Sequence, residues 1–114
     1  MNNIQKGKLG EEIATNYLVS KGAKILQNNY KLNFGEIDII AKINQDIVFV
    51  EVKARSNLNF GYPAEAVNLK KQRKIRNVAK YFIVKNKLQR ASIRFDVIEI
   101  YLKDKKINHI ENAF

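Results

Sequence analysis

Two neighbouring apolar segments constrain the fold of this chain more than any other feature. Residues 37–41 and 47–52 are rich in β-branched side chains and carry apolar residues at both odd and even positions. Such segments are typical of central strands in a sheet that is covered on both faces. Asn44 and Gln45 lie between them and suit a tight turn. The sequence therefore predicts an antiparallel hairpin at the centre of a buried sheet.

Each predicted strand of this hairpin carries one acidic residue, Asp38 in the first and Glu51 in the second. A two-residue turn pairs Ile43 with Asp46, and paired positions in an antiparallel ladder keep a constant sum, so Asp38 is then opposite Glu51. We expect their Cβ atoms to lie about 4.5 to 5.5 Å apart, a spacing at which two like charges destabilise a sheet. A cation is therefore expected between the two carboxylates.

Lys53 lies two positions after Glu51, so its side chain is expected on the same face of the strand. Two carboxylates can hold Mg²⁺ or Mn²⁺, while the lysine can deprotonate an attacking water and stabilise the charge that develops on a phosphodiester. Asp38, Glu51 and Lys53 are therefore candidate catalytic residues. Two alternatives stay open: a buried salt bridge between Lys53 and one acid, and a register shifted by one residue that moves Asp38 to the other face.

Amphipathic helices flank the hairpin along the chain, because apolar residues recur at helical spacing before and after it. The predicted elements, in chain order, are a helix at about 6–20, a strand at 23–28, the two hairpin strands, a helix at about 65–85, a strand at 95–102 and an edge strand at 107–114. Turns are predicted at Asn28, Asn29, Asn33 and Gly35. The fold class is α/β, with a mixed central sheet flanked by helices in the order α-β-β-β-α-β, and residues 1–114 form a single predicted domain.

Basic residues strongly outnumber acidic ones. The chain has 21 Lys and Arg against 11 Asp and Glu, a formal charge of +10, so polyanions are natural partners. Residues 70–94 contain ten Lys or Arg and no Asp or Glu, which predicts a phosphate-contacting face on the second helix. The predicted nucleic-acid contacts are Arg55, Lys70, Lys71, Gln72, Arg73 and Lys74. A basic surface that merely solubilises the protein is the alternative.

Two of these contacts and one loop have open interpretations. Lys71 and Gln72 lie where the apolar stripe of the second helix begins, and they either face the acidic cluster or extend over the core. The loop at 54–64 follows the second hairpin strand and carries Phe60 and Tyr62. With Arg55, these aromatic residues either grip displaced bases or pack onto the protein.

The composition excludes several kinds of site. No cysteine is present, so disulfides, thiolate zinc sites and cysteine nucleophiles are excluded. His109 is the only histidine, which makes a Ser-His-Asp triad or a histidine-rich metal site hard to build, and we assign it no role. No apolar run approaches the roughly 20 residues that span a bilayer, and the N-terminus lacks an apolar signal core. A cytoplasmic protein is expected.

Several short motifs of this chain resemble the YraN family of small bacterial proteins, and the resemblance covers nearly the whole chain. The matching segments are GEIDII at 35–40, VFVEVKAR at 48–55, Gly7 and Gly10-Glu11 in the first helix, Lys71-Gln72 in the second, Arg94-Phe95-Asp96 in the late strand, and Asn112-Ala113-Phe114. That family is similar to archaeal Holliday-junction resolvases and other nucleases of the D-(D/E)-x-K type. The resemblance therefore implies a restriction-endonuclease-like fold.

The resemblance also implies roles for individual residues. Asp38 and Glu51 would be metal ligands, Lys53 the catalytic lysine, and Glu11 the further acid that completes the shell around Mg²⁺ or Mn²⁺. Ile37 stands where a proline often precedes the first aspartate in this nuclease group. Related resolvases act as symmetric dimers, so the resemblance implies a homodimer.

Other acidic residues are open to simpler interpretations. Without the resemblance, Glu11 is a solvated helix residue that favours the helix dipole. Glu36 is expected to point away from Asp38 and to be a surface or supporting group. Asp96 lies in an apolar strand and is expected to pair with Arg94 or with a helix lysine.

The leading hypothesis is a metal-dependent DNA endonuclease that cuts branched, nicked or single-stranded DNA in recombination or repair. A non-catalytic nucleic-acid-binding module that retains the nuclease fold is the alternative, and a protein-interaction domain is a third. The expected partners are nucleic acid, with DNA favoured, and a second copy of the chain. No membrane partner and no small-molecule cofactor is expected.

Overall fold

The computed structural model describes residues 1–56 and 67–114. Its elements are α1 (Asn3–Ser20), β1 (Lys24–Leu32), β2 (Gly35–Ile43), β3 (Asp46–Arg55), α2 (Leu69–Lys85), β4 (Ser92–Tyr101) and β5 (Lys106–Ile110). The predicted order α-β-β-β-α-β is confirmed, and β5 is the predicted edge strand, although it ends at Ile110 and does not extend to residue 114. Most of the predicted loop, including Phe60 and Tyr62, lies outside the described residues.

The five strands of the described residues form one mixed sheet in the order β1-β2-β3-β4-β5. The first three strands are antiparallel neighbours, β3 and β4 are parallel, and β5 is antiparallel to β4. Parallel neighbours need a long crossover connection, and α2 lies in it. The mixed sheet with flanking helices is the arrangement predicted for a restriction-endonuclease-like core.

The central hairpin has the predicted turn and register. Asn44 adopts a positive φ of 55° in the turn between β2 and β3, a conformation that asparagine tolerates better than most residues. The ladder runs from Ile43 opposite Asp46 to Ile39 opposite Val50. A register shifted by one residue is therefore excluded over this stretch.

Apolar side chains cover both faces of the sheet, with one helix on each face. One core cluster joins α1 to the sheet through Ala14, Leu18, Ile39, Ala41, Val48, Val50 and Ile98. The other joins α2 to the opposite face through Ile75, Val78, Phe82, Ile40, Phe49 and Val97. Because Ile39 and Ile40 are buried in different clusters, β2 needs apolar residues at both odd and even positions. Neither helix of the described residues is long and apolar enough to cross a membrane.

The first helix and strand are both longer than predicted. α1 begins at Asn3 because Asn2 and Gln5 form a reciprocal capping box. β1 continues to Leu32, so the predicted turn at Asn28 and Asn29 is wrong. Asn29 has a φ of 50° inside the strand, and the chain turns at residues 33–34.

The second helix begins later than predicted. Asn68 is its N-cap and accepts a hydrogen bond from the backbone N–H of Lys71, so the first helical residue is Leu69. The predicted start near residue 65 is therefore wrong, whereas the predicted end at Lys85 is confirmed.

Candidate functional site

Asp38 lies on β2 just beyond the last ladder pair with β3. Its carboxylate oxygen Oδ2 accepts a hydrogen bond from the backbone N–H of Val52 at 2.8 Å. The side chain is partly buried. This bond ties the carboxylate to the neighbouring strand, two residues after Val50 ends the ladder.

Three carboxylates from two elements meet at Asp38. Glu11 of α1, Glu36 of β2 and Asp38 each offer an oxygen, and these oxygens all lie within 4.8 Å of one another. The prediction that Glu36 points away from Asp38 is wrong. The two residues are two positions apart on one strand, a spacing that keeps side chains on the same side.

A glycine on α1 allows Glu11 to reach the sheet. A Cβ atom at Gly10 would lie 2.7 Å from the Cβ of Ala54 and 3.7 Å from Val52. Only glycine therefore lets this turn of α1 approach β3 so closely. This close approach brings the next residue, Glu11, near Glu36 and Asp38 of β2.

Glu51 is almost fully buried, and two lysines contact its carboxylate. The Lys71 Nζ lies 2.6 Å from Glu51 Oε1, and the Lys53 Nζ lies 3.7 Å from the same oxygen. The expected proximity of Lys53 and Glu51 on one face of β3 is therefore observed. Lys71 therefore faces the acidic residues of the site and does not merely extend over the core.

Burial, together with neighbouring carboxylates, raises the pKa of two of the acids. Burial raises the pKa of Asp38 to about 7 from an ordinary 3.8, the charge of Glu51 adds to the rise, and the Val52 hydrogen bond opposes it. Burial also raises the pKa of Glu11, followed by the charges of Glu36 and Glu51, while a hydrogen bond with Asp38 lowers it. Both shifts identify a place where an added cation would be stabilised.

The two lysines differ in how firmly each holds its proton. Burial lowers the pKa of Lys53, and the neighbouring Lys71 lowers it further against the opposing charge of Glu51. Burial also lowers the pKa of Lys71, but its hydrogen bonds with Glu51 and Lys53 outweigh this effect and leave the pKa raised. Lys71 therefore carries the charge that pairs with Glu51, and Lys53 gives up its proton more readily.

A surface cavity of about 250 Å³ gives access to this cluster. Its lining residues are Gly35, Glu36, Asp38, Glu51, Lys71, Lys74 and Ile75. Acidic and basic groups thus share one solvent-accessible space between β2, β3 and the start of α2. A group that carries both a phosphate and a coordinated cation suits such a lining.

Four of the predicted nucleic-acid contacts on α2 lie outside the contact between Lys71 and Glu51. Lys70, Arg73 and Lys74 are exposed on α2, and Lys74 also lines the cavity. The side-chain amide Nε2 of Gln72 donates a hydrogen bond to the backbone carbonyl of Val67 at 3.0 Å. This bond directs Gln72 to the residues before the helix.

Arg55 is held by a buried acid. Its Nε donates to Glu99 Oε2 at 3.2 Å, and Glu99 also accepts hydrogen bonds from the hydroxyl of Tyr101 and the amide of Asn108. Glu99 is fully buried. Arg55 therefore neutralises an interior carboxylate, an interaction that its predicted role in nucleic-acid contact did not include.

A second buried acid, Asp96, lies on β4 outside the cavity lining. Arg94 Nη2 lies 3.0 Å from Asp96 Oδ2, which confirms the expected pair. His109 Nε2 lies 2.7 Å from the same oxygen, and its Nδ1 lies 3.0 Å from the hydroxyl of Tyr17. These bonds tie α1, β4 and β5 together, so His109 has a structural position that the sequence did not indicate.

Comparison with known proteins identifies the family. The model of "Uncharacterised protein family UPF0102" matches residues 10–100. A UPF0102 protein from Clostridioides difficile (strain 630) is 63% identical over 100% of both chains. Others from Alkaliphilus oremlandii and Caldanaerobacter subterraneus subsp. tengcongensis are 52% and 47% identical, covering 98% and 100% of this chain and 99% and 98% of theirs.

A structural comparison gives a much weaker likeness. A structure of Pyrococcus furiosus SfsA in complex with Ca²⁺ is 17% identical with a TM-score of 0.36, covering 96% of this chain and 64% of that chain. A score this low supports no conclusion about fold or function. The sequence matches are extensive by contrast, and the chain belongs to protein family UPF0102, the YraN family.

Proposed function

We propose that this protein is a cytoplasmic, Mg²⁺- or Mn²⁺-dependent endonuclease that cuts branched, nicked or single-stranded DNA in recombination or repair. The observation that carries the proposal is the meeting of Glu11, Glu36 and Asp38, with oxygens within 4.8 Å of one another. Two of these acids, Glu36 and Asp38, line the cavity together with Glu51 and its partner Lys71. Acids suited to a metal and a lysine suited to a phosphate therefore share one accessible space.

The donor atoms fit a hard divalent cation. Mg²⁺ and Mn²⁺ prefer carboxylate oxygens and keep several waters. Glu11 and Asp38 would hold the ion, Glu36 is positioned to assist, and Glu51 is the further ligand that the sequence predicts. Burial is the main cause of the raised pKa values of Glu11 and Asp38, and neighbouring carboxylates add to it, so a bound cation would stabilise both carboxylates in their charged form. When bound, the ion would polarise the phosphate and lower the pKa of a bound water.

The lysines supply the remaining chemistry. Lys53 Nζ, whose pKa is lowered by burial and by Lys71, is suited to accept a proton from the attacking water. Lys71 keeps its charge beside Glu51 and is suited to stabilise the negative charge that develops on the phosphate. Lys74 at the cavity rim and the exposed Lys70 and Arg73 would bind flanking phosphates.

Calorimetric titration with Mn²⁺ is the first test. The wild-type protein should bind Mn²⁺, and Asp38→Asn should weaken binding at least tenfold while keeping an acceptor for the Val52 N–H. Glu12→Gln is the matched control because Glu12 is exposed on the same helix beside Glu11. If neither metal binding nor cleavage of branched, duplex and single-stranded DNA is found with Mg²⁺ or Mn²⁺, the proposal is wrong.

A non-catalytic nucleic-acid-binding module is the second candidate. The 2.6 Å contact between Lys71 and Glu51 favours it, because this pair already neutralises one acid of the cluster internally. Such a module would bind DNA with an affinity that falls steeply with salt and would leave the DNA intact. Cleavage abolished by Asp38→Asn would exclude it.

A homodimer is part of the endonuclease proposal and rests on the resemblance to resolvases alone. A two-fold symmetric enzyme would present two cavities to the two equivalent strands of a four-way junction. Sedimentation equilibrium with and without a four-way junction measures the stoichiometry. A strictly monomeric complex that still cuts both strands would contradict the dimer.

A further inference from the structure

Phe34 and Tyr81 form an aromatic pair on the surface. Phe34 lies in the turn between β1 and β2, and Tyr81 lies on α2. Their ring centroids are 6.4 Å apart in an edge-to-face arrangement, yet the two residues remain 46% and 45% exposed. Each ring therefore keeps a large accessible area beyond their mutual contact.

The pair lies next to the candidate site. Gly35, the residue after Phe34, lines the cavity that contains Asp38 and Glu51. A Cβ atom at Gly35 would lie 2.9 Å from Val78 Cγ2 and 3.4 Å from the carbonyl of the preceding turn of α2. The turn that carries Phe34 is thus held directly against α2 at the cavity edge.

Basic side chains flank the pair along one stripe of α2. Lys71, Lys74, Val78, Tyr81 and Lys85 follow one another at intervals of three or four residues and therefore share a face of the helix. Tyr81 lies about 15 Å along the axis from Lys71, which contacts the cluster. Lys85 Nζ lies 5.8 Å from the Tyr81 ring centroid. This face of α2 thus presents lysines and one aromatic residue in a line that begins at the cavity.

We propose that the Phe34–Tyr81 pair is a stacking platform for unpaired bases of a nucleic-acid strand whose phosphates contact Lys74 and Lys85. Exposed rings beside lysines are the combination that binds single strands, because rings stack on base faces while cations bind the backbone. Bases inside a duplex are already stacked and cannot reach the rings. The chain's net charge of +10 favours a polyanion over an uncharged apolar partner.

This inference rests on the proposed function, since it names the kind of substrate that would enter that site. It assigns to the substrate an unpaired segment beside the phosphodiester that is cut, as in a flap, a gap or the arm of an opened junction. Binding on the platform requires neither a metal ion nor cleavage. The two proposals are therefore tested separately.

The chain contains no tryptophan, so Phe34→Trp places its one tryptophan on the platform, where its fluorescence can be excited selectively over that of the tyrosines. In EDTA, a single-stranded oligonucleotide should quench this fluorescence to saturation, and the blunt duplex of the same length should not. Phe34→Ala and Tyr81→Ala should each weaken single-strand affinity about 5- to 100-fold. Tyr81→Phe should retain it. Ile93→Ala is the control, an exposed apolar residue on β4.

The salt dependence separates stacking from charge. Lys74→Ala should reduce the slope of log affinity against log salt, and Phe34→Ala should lower affinity at every salt concentration with the slope unchanged. Alanine variants with wild-type affinity would overturn the platform. So would reporter fluorescence that responds only to protein concentration, which would assign the pair to a subunit contact.

The outcomes also distinguish the two proposals from each other. Quenching by single strands without Mn²⁺ binding or cleavage would retain the platform and refute the endonuclease. Cleavage by a Phe34→Ala, Tyr81→Ala double variant with unchanged single-strand affinity would retain the endonuclease and refute the platform.

Discussion

Replacing Asp38 with asparagine should stabilise the metal-free protein at pH 8 while weakening Mn²⁺ binding. Burial raises the pKa of Asp38 to about 7 from 3.8, so the charged carboxylate destabilises the folded state relative to the unfolded chain. At about 1.4 kcal/mol per pKa unit, the rise corresponds to an upper limit of about 4 kcal/mol above pH 7. Asparagine removes this cost and retains an acceptor for Val52 N–H.

The net gain should be smaller than that limit. The substitution also removes the hydrogen bond through which Asp38 lowers the pKa of Glu11, and it leaves Glu11 and Glu36 in place. We expect a gain of about 1 to 3 kcal/mol, or roughly 4 to 13 °C in Tm for a domain of this size. The penalty is absent below about pH 4, where Asp38 is protonated in both states, and it grows as the pH rises to about 7.

Urea unfolding in EDTA at pH 5 and pH 8 measures the effect. The stability difference between Asp38→Asn and wild type should be larger at pH 8 than at pH 5. Asp46→Asn is the control, a half-buried acid of the same hairpin that pairs with Arg94. Added Mn²⁺ should stabilise wild type more than Asp38→Asn, as ligand linkage requires. A variant less stable than wild type at pH 8 would refute the reasoning.

Three further predictions concern other residues. Gly10→Ala should destabilise the protein by about 1 to 3 kcal/mol because the added Cβ would lie 2.7 Å from β3. Gly7→Ala should instead stabilise α1 by about 0.5 to 1 kcal/mol in thermal unfolding, because a Cβ at this position would have no atom within 4 Å. Arg94→Met should cost about 3 to 5 kcal/mol by leaving buried Asp96 without its guanidinium. The hydrogen bonds that Asp96 accepts outweigh the effect of burial and lower its pKa. The stabilisation that this carboxylate provides should therefore be present above about pH 4 and lost as the pH falls through the pKa of the folded state. If the endonuclease proposal holds, Lys53→Met should abolish cleavage and leave Mn²⁺ affinity within about threefold, as activity assays and calorimetry will measure.

The hairpin could be predicted because its geometry depends on local sequence. A two-residue turn sets the register, and strand alternation sets the face of each side chain. The ladder from Ile43–Asp46 to Ile39–Val50 and the 3.7 Å contact of Lys53 with Glu51 follow from those two rules. Family membership was also evident from short motifs around these same strands.

Two predicted boundaries, the end of β1 and the start of α2, are wrong because the local sequence signals were ambiguous. Asn29 suggested a turn, but it adopts its positive φ within β1 while the strand continues. The apolar pattern predicts a start of α2 near residue 65, but the N-cap at Asn68 makes Leu69 the first helical residue. The predicted orientation of Glu36 is wrong for a different reason, because its spacing of two residues from Asp38 already puts both side chains on the same side of β2.

Local sequence was enough to predict the strand pair, its register, the positions of Asp38, Glu51 and Lys53 on it, and the basic character of α2. The contacts of Lys71 with Glu51, of Arg55 with Glu99 and of Phe34 with Tyr81 emerged only from the folded structure. These contacts join residues from different elements, so they depend on how closely each helix approaches the sheet and where along it. Packing of side-chain volumes sets that approach, and no spacing within one segment of the chain encodes it.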